Sequence, residues 1–177
     1  MRVTVILSLA ALSACASSKP GSAIAGGAAD VPIGTSTFRI RPTDGLMVHV
    51  VPFDLNTVWR ALPVVFDSLG ITISEVDATH HVIGSPGFKA HKRLRNVALS
   101  KLIDCGSTQG FPSADEYDVN LSVLTQVEVG KAGSTSVATK VDAAARPMAF
   151  PGAYTKCSTK GLLETSIVEA VTRYLQR

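Results

Sequence analysis

Strong charge of either sign is missing from this chain. Charged residues make up 18% of the sequence, and the small excess of Lys and Arg leaves a formal charge of +3, which falls to +2 without Arg2. Basic residues cluster only in Lys89-Ala90-His91-Lys92-Arg93-Leu94-Arg95. So weak a balance gives no reason to expect a nucleic-acid partner. Aromatic residues are scarce at 6%, with Trp59 the single tryptophan. After residue 15 no apolar run approaches the roughly 20 residues that a spanning helix needs. Familiar catalytic signatures are absent as well: no Gly-x-Ser-x-Gly elbow, phosphate loop, dinucleotide fingerprint or His-Glu-x-x-His helix occurs. Neither an enzyme nor a bound cofactor is expected. What remains is 46% apolar residues, enough for one hydrophobic core in a chain of single-domain size.

The first residues carry the most specific signal. Arg2 is followed by an apolar run of about ten residues and then by small ones, the layout of a secretory signal. Its end, Leu12-Ser13-Ala14-Cys15, resembles the lipobox of bacterial lipoproteins at all four positions. That resemblance implies cleavage of a signal peptide at 1–14 and attachment of lipid to Cys15, the first residue of the mature chain. One acyl chain holds a protein only marginally, whereas two or three make dissociation negligible. Ala16 in place of aspartate resembles the default sorting signal to the outer membrane. The implied location is its periplasmic side, or the cell membrane in a source with a single membrane.

Two cysteines then remain, Cys105 and Cys157, an even pair in an oxidising compartment. A disulfide between them would close a loop of about 53 residues and contribute roughly 4 kcal/mol on the chain-entropy estimate. The alternatives are two buried free thiols or a metal site. Zinc would require two further ligands, and no Cys-x-x-Cys or His-x-x-x-His spacing provides them, so no metal is expected.

Composition divides the rest. Residues 16–36 are small, Gly- and Ser-containing and without period, which reads as a flexible tether spanning on the order of 25 Å. A single domain is expected over 37–177. Phe38–Arg41 and Leu46–Val51 read as strands on either side of an Asp44-Gly45 turn. Asp54 or Asn56 caps a helix to Leu69, with Leu55, Val58, Trp59, Leu62, Val65, Phe66 and Leu69 as its apolar stripe. Pro63 should kink or break this helix, and Gly70 should end it. Ile71–Val76 and His81–Ser85 read as a hairpin, Val97–Asp104 as a short helix, and 106–116 as a loop. From Tyr117 to Val129 apolar residues alternate with mostly polar ones, and 135–143 continue the alternation on a return strand. Thr159 is the expected cap of a last helix over 160–176, which faces the core with Leu163, Ile167, Ala170, Val171 and Tyr174. This order predicts an α+β fold, an antiparallel sheet of about 5–6 strands packed against two main helices.

In layout, the lipobox, the tether, the Trp59 helix ending Leu69-Gly70-Ile71, the hairpin and the closing helix resemble the BamC-type lipoprotein module. The likeness covers about residues 46–177. It implies a helix-grip fold and a non-catalytic accessory role in outer-membrane protein assembly, with an envelope protein as partner. The same layering could instead leave an apolar groove for lipid, as in an auxiliary of lipid transport.

Candidate chemistry is sparse. His80 and His81 beside Asp77 form the best acid–base or metal candidate, although neighbouring strand residues point to opposite faces, so only one of the two can join Asp77. A polar hairpin tip accounts for the same residues without chemistry. Ser85, in Gly84-Ser85-Pro86-Gly87, reads as part of a turn rather than a nucleophile. Asp115, Glu116 and Asp118 miss the oxygen spacing of a calcium loop. Trp59 belongs to the core stripe, and Lys89–Arg95 reads as a solvated loop that could also meet anionic headgroups or an acidic partner.

Overall fold

The computed structural model describes residues 46–149 and 152–177, together with the backbone of two strands at 29–33 and 36–40. These two, β1 (Ala29–Ile33) and β2 (Ser36–Ile40), form an antiparallel hairpin of their own. The segment read as tether therefore contains a strand, whose alternation is too short to stand out among small residues. Residues 1–28, with the signal and Cys15, lie outside the described residues.

The domain follows as β3 (Met47–Val51), α1 (Leu55–Leu69), β4 (Glu75–Asp77) and β5 (Val82–His91). Short elements come next: β6 (Arg93–Leu94), β7 (Val97–Ala98), one-turn α2 (Leu99–Leu102), β8 (Ile103–Asp104), β9 (Ser107–Thr108), β10 (Phe111–Pro112) and one-turn α3 (Ser113–Glu116). Two long strands, β11 (Asp118–Val129) and β12 (Thr135–Arg146), lead to β13 (Thr155–Thr159) and α4 (Leu162–Leu175). The sheet order is β7-β6-β5-β11-β12-β13-β8, with β4 beside β5 and β3 beside β12, and its pairings are antiparallel. The α+β fold with two main helices on one sheet is the expected one. β3, β4, β5, β11 and β12 fall on segments read as strands. β13 was not expected, because its five residues alternate too briefly to stand out after the proline-containing stretch before Cys157; β6, β7 and β8 extend the sheet by two-residue ladders.

The core forms where one face of β11 and β12 meets the helices. Val119, Leu121, Val123, Thr125 and Val127 lie opposite Ala145, Ala143, Val141, Thr139 and Val137, and all ten are buried. The Thr125 and Thr139 hydroxyls satisfy each other at 2.8 Å, so a polar pair sits in this layer without an orphaned group. Val58, Leu62, Val65 and Phe66 of α1 and Leu163, Ile167 and Val171 of α4 cover the layer. Each such side chain contributes roughly 1.5–3 kcal/mol by leaving water.

Helix α1 starts where expected, because the Asp54 carboxylate accepts the Thr57 N–H at 3.0 Å. It ends at Gly70, whose φ of +75° lets its N–H turn back to the Asp67 carbonyl at 3.0 Å. Of the kink or break expected at Pro63, the break does not occur. The proline lies on the exposed side of an uninterrupted helix, where the lost backbone bond faces water and costs least.

Strand β5 differs most from expectation. Gly84-Ser85-Pro86-Gly87 is not a turn, and Lys89 to His91 are not loop; all belong to one ten-residue strand paired with β11. Between Ser85, opposite Val123, and Phe88, opposite Leu121, β5 carries one residue more than its partner, a β-bulge. The turn-forming residues that mimic a reversal in the sequence accommodate this bulge, and Pro86 has no N–H to waste there. The inward set changes from Ile83 and Ser85 to Phe88 and Ala90 across it.

Gly84 is required at its position. Its φ is +149°, and a Cβ would stand 2.0 Å from the Val123 carbonyl oxygen. Gly84→Ala should lower stability by at least about 2 kcal/mol, read from the chemical-denaturation midpoint. Gly106→Ala, also at positive φ but with no atom within 4 Å, should lose only about 1 kcal/mol.

Candidate functional site

The β4–β5 turn brings Asp77 and the two adjacent histidines together, but divides their roles. The Asp77 carboxylate accepts the backbone N–H groups of Thr79 and His80 at 2.9 and 3.1 Å, and its second oxygen lies 2.7 Å from His80 Nδ1. These bonds favour the ionised form and hold the Asp77 carboxyl below the ordinary carboxylate range, the His80 side chain being the largest cause. His81 points elsewhere, with its ring edge-on to Trp59 at 5.4 Å between centroids. Only one histidine joins the aspartate, as expected, but the cause is the turn geometry rather than strand alternation, since both histidines lie between β4 and β5. His81 also adopts a φ of +51°, uncommon for a residue with a side chain, and its carbonyl accepts the Val127 N–H at 3.0 Å. The tip is thus tied to both α1 and β11. It holds an exposed imidazole and a partly exposed carboxylate, and among the described residues no third acid–base side chain joins them. Among the described residues no three His, Cys, Asp or Glu side chains converge as metal ligands.

The other candidates are occupied in packing. Asp115 accepts the Ser100 N–H at 2.8 Å and its hydroxyl at 2.6 Å, closing the start of α2. Asp118 faces away from the core opposite His91 and Arg146, so the three neighbouring carboxylates do not form a cluster. Ser85 is buried, receiving the Ser74 hydroxyl at 3.0 Å and the Gly87 N–H at 3.3 Å. In the basic segment, Arg95 donates to the Asp67 carbonyl at 2.6 Å and lies against Gly70, neutralising the negative end of α1. Lys89 and His91 stand on the outer face of β5.

Cys105 and Cys157 form a disulfide. It joins the segment after β8 to β13, beside the pairs Asp104–Ser158 and Ile103–Thr159. Lys160 reinforces the junction: its N–H meets the Leu102 carbonyl at 2.9 Å and its ammonium the Ser100 carbonyl at 2.7 Å. The last helix is therefore fastened to the middle of the domain, as expected of the bond. Thr159 is not its N-cap, because β13 continues through it and Gly161 takes the cap position with a φ of +77°. The Thr159 hydroxyl instead accepts the Gly161 N–H at 3.1 Å and donates to Glu164 Oε1 at 2.7 Å.

Glu164 went unnoticed in the sequence, although it falls beside Leu163, three and seven residues before Ile167 and Val171. It is fully buried, and Oε2 has no hydrogen-bond partner. His49 Nε2, on β3, is buried and unpartnered in the same way.

The solvent-facing feature that alternation missed is on β3. Among the described residues β3 pairs only with β12, so its second edge offers free backbone groups. Its outward side chains Val48 and Val50 are 57% and 67% exposed, beside Ala138 and Ser136 of β12. An apolar edge strand of this kind can accept an extended segment by strand addition. No protein-family model matches the chain, and no curated protein is detectably similar to it in sequence.

Two measurements check these assignments. A carboxyl held low stabilises the tip above its unfolded pKa and loses that effect as pH falls through the folded value. Asp77 should therefore titrate by NMR below a free aspartate, moving the Thr79 and His80 amides with it, and Asp77→Asn should abolish that transition. Reducing Cys105–Cys157, or replacing both with Ala, should lower stability by roughly 4 kcal/mol in denaturant titrations.

Proposed function

We propose that the chain is a lipid-anchored, periplasm-facing lipoprotein whose domain binds or scaffolds an envelope protein, as a non-catalytic accessory in outer-membrane or envelope assembly. The address rests on Leu12-Ser13-Ala14-Cys15 followed by Ala16, and the Cys105–Cys157 bond agrees with an oxidising compartment. The observation that carries the binding role is the exposed apolar edge of β3. Support for an assembly accessory in particular comes from the BamC-type layout, from the lipobox through the closing helix.

A photo-crosslinking residue placed at Val50 in intact cells tests this reading. It should capture one defined envelope protein, whereas the same probe at the exposed Lys101 should not. Failure to capture any protein from Val50 overturns the binding role. Cys15→Ser should abolish incorporation of labelled palmitate and release the chain from the membrane fraction, and retention of label would overturn the anchor.

A further inference from the structure

The layer between sheet and helices is full: Leu62, Phe66, Leu121 and Ile167 are completely buried there. The concavity suited to an acyl chain lies on the far side of the helices, between the C-terminal halves of α1 and α4. It is a groove of about 360 Å³, near the lower end of the range for small-molecule sites. Val64, Leu69, Ala170 and Tyr174 line it, and Val64 and Tyr174 are each more than two-fifths exposed. The Ser68 hydroxyl turns back onto the Val65 carbonyl at 2.7 Å, so it adds little polar demand to the floor.

Val65, Arg173 and Arg177 also line it, and among the described residues no acidic side chain does. The two arginines stand four residues apart on α4 and its end, a spacing at which like charges repel. Neither has a hydrogen-bond or ion-pair partner among the described residues. The negative end of α4 already has Arg173 in its last turn, so the helix dipole leaves the second cation unexplained. An apolar trough with two guanidinium groups that no described residue pairs complements an amphiphile with an anionic head, since guanidinium binds phosphate oxygens in a bidentate fashion.

We propose that this groove binds one anionic membrane phospholipid, an acyl chain lying between α1 and α4 and the headgroup phosphate held by Arg173 and Arg177. The inference goes beyond the protein-binding reading and does not rest on it, because the groove and the β3 edge use different residues.

The test uses the full chain carrying Cys15→Ser, titrated with lauroyl lysophosphatidylglycerol below its micelle concentration and followed by amide NMR shifts. Saturable one-to-one binding is expected, with shifts centred on 64–69 and 170–177. Lauroyl lysophosphatidylcholine, and the exposed double substitution R173S/R177S, should each bind about tenfold more weakly. Ala170→Trp keeps both arginines but fills the trough, and it should abolish binding. Absence of saturable shifts in those segments overturns the proposal. So do equal affinities for the two headgroups, or undiminished binding by the filled variant. An unfolded variant would show itself by collapsed amide dispersion throughout, and the headgroup comparison on the unsubstituted groove stands apart from that outcome.

Discussion

The pairing of β11 with β12 is the constraint on which the other elements depend. Twelve residues on each strand face each other without a slip, from Asp118 opposite Arg146 to Val129 opposite Thr135. Because side chains alternate strictly along a strand, this register decides at once which residues face the helices. β5 attaches to the outer edge of β11, while β3 and β13 share the free edge of β12. The helices then have one continuous apolar surface to cover. A shift of one residue in this ladder would put Val123 and Val141 on opposite faces, so that one of the two strands would lose its apolar set to solvent.

A second level of organisation fastens the short elements to this frame. α2, β8, β13 and the start of α4 meet where backbone pairing, a covalent bond and the Lys160 contacts coincide. One-turn helices cannot stand alone, since nucleating a turn costs more than its few bonds return. Here the ends of α2 are closed by residues distant in sequence, the Asp115 carboxylate on the Ser100 N–H, the Lys160 ammonium on the Ser100 carbonyl and the Lys160 backbone N–H on the Leu102 carbonyl. The histidines at the β4–β5 turn are likewise drawn into structure, one by a carboxylate and one by an indole.

Long, strongly periodic segments were legible in the sequence. The stripe of α1, its start at Asp54 or Asn56 and Gly70 stop, the alternation of β11 and β12, and the closing helix all follow from local pattern. Elements set by distant partners were not. Gly84-Ser85-Pro86-Gly87 looks like a reversal in isolation, and only its pairing with β11 makes it a bulge. Lys89 to His91 look solvated because half of that strand is, while Phe88 and Ala90 supply the inward half. Leu124 and Gln126 were assigned to a polar face yet are buried, which alternation alone does not foretell. The arginine-lined groove was illegible for a similar reason: its two walls are about a hundred residues apart, and each alone reads as an ordinary helix surface.

The bulge has a consequence for how this chain tolerates changes of length. With the extra residue absorbed between Ser85 and Phe88, the two ends of β5 keep separate parities toward the core. Losing one residue within that stretch would leave a regular strand whose apolar side chains still face inward. Losing one elsewhere in β5 would carry Lys89 or its neighbours into the helix layer unless the bulge migrated. Relatives of this domain that differ by a single residue in the strand should therefore differ there, and their alignment is best anchored on the inward pairs on either side of it.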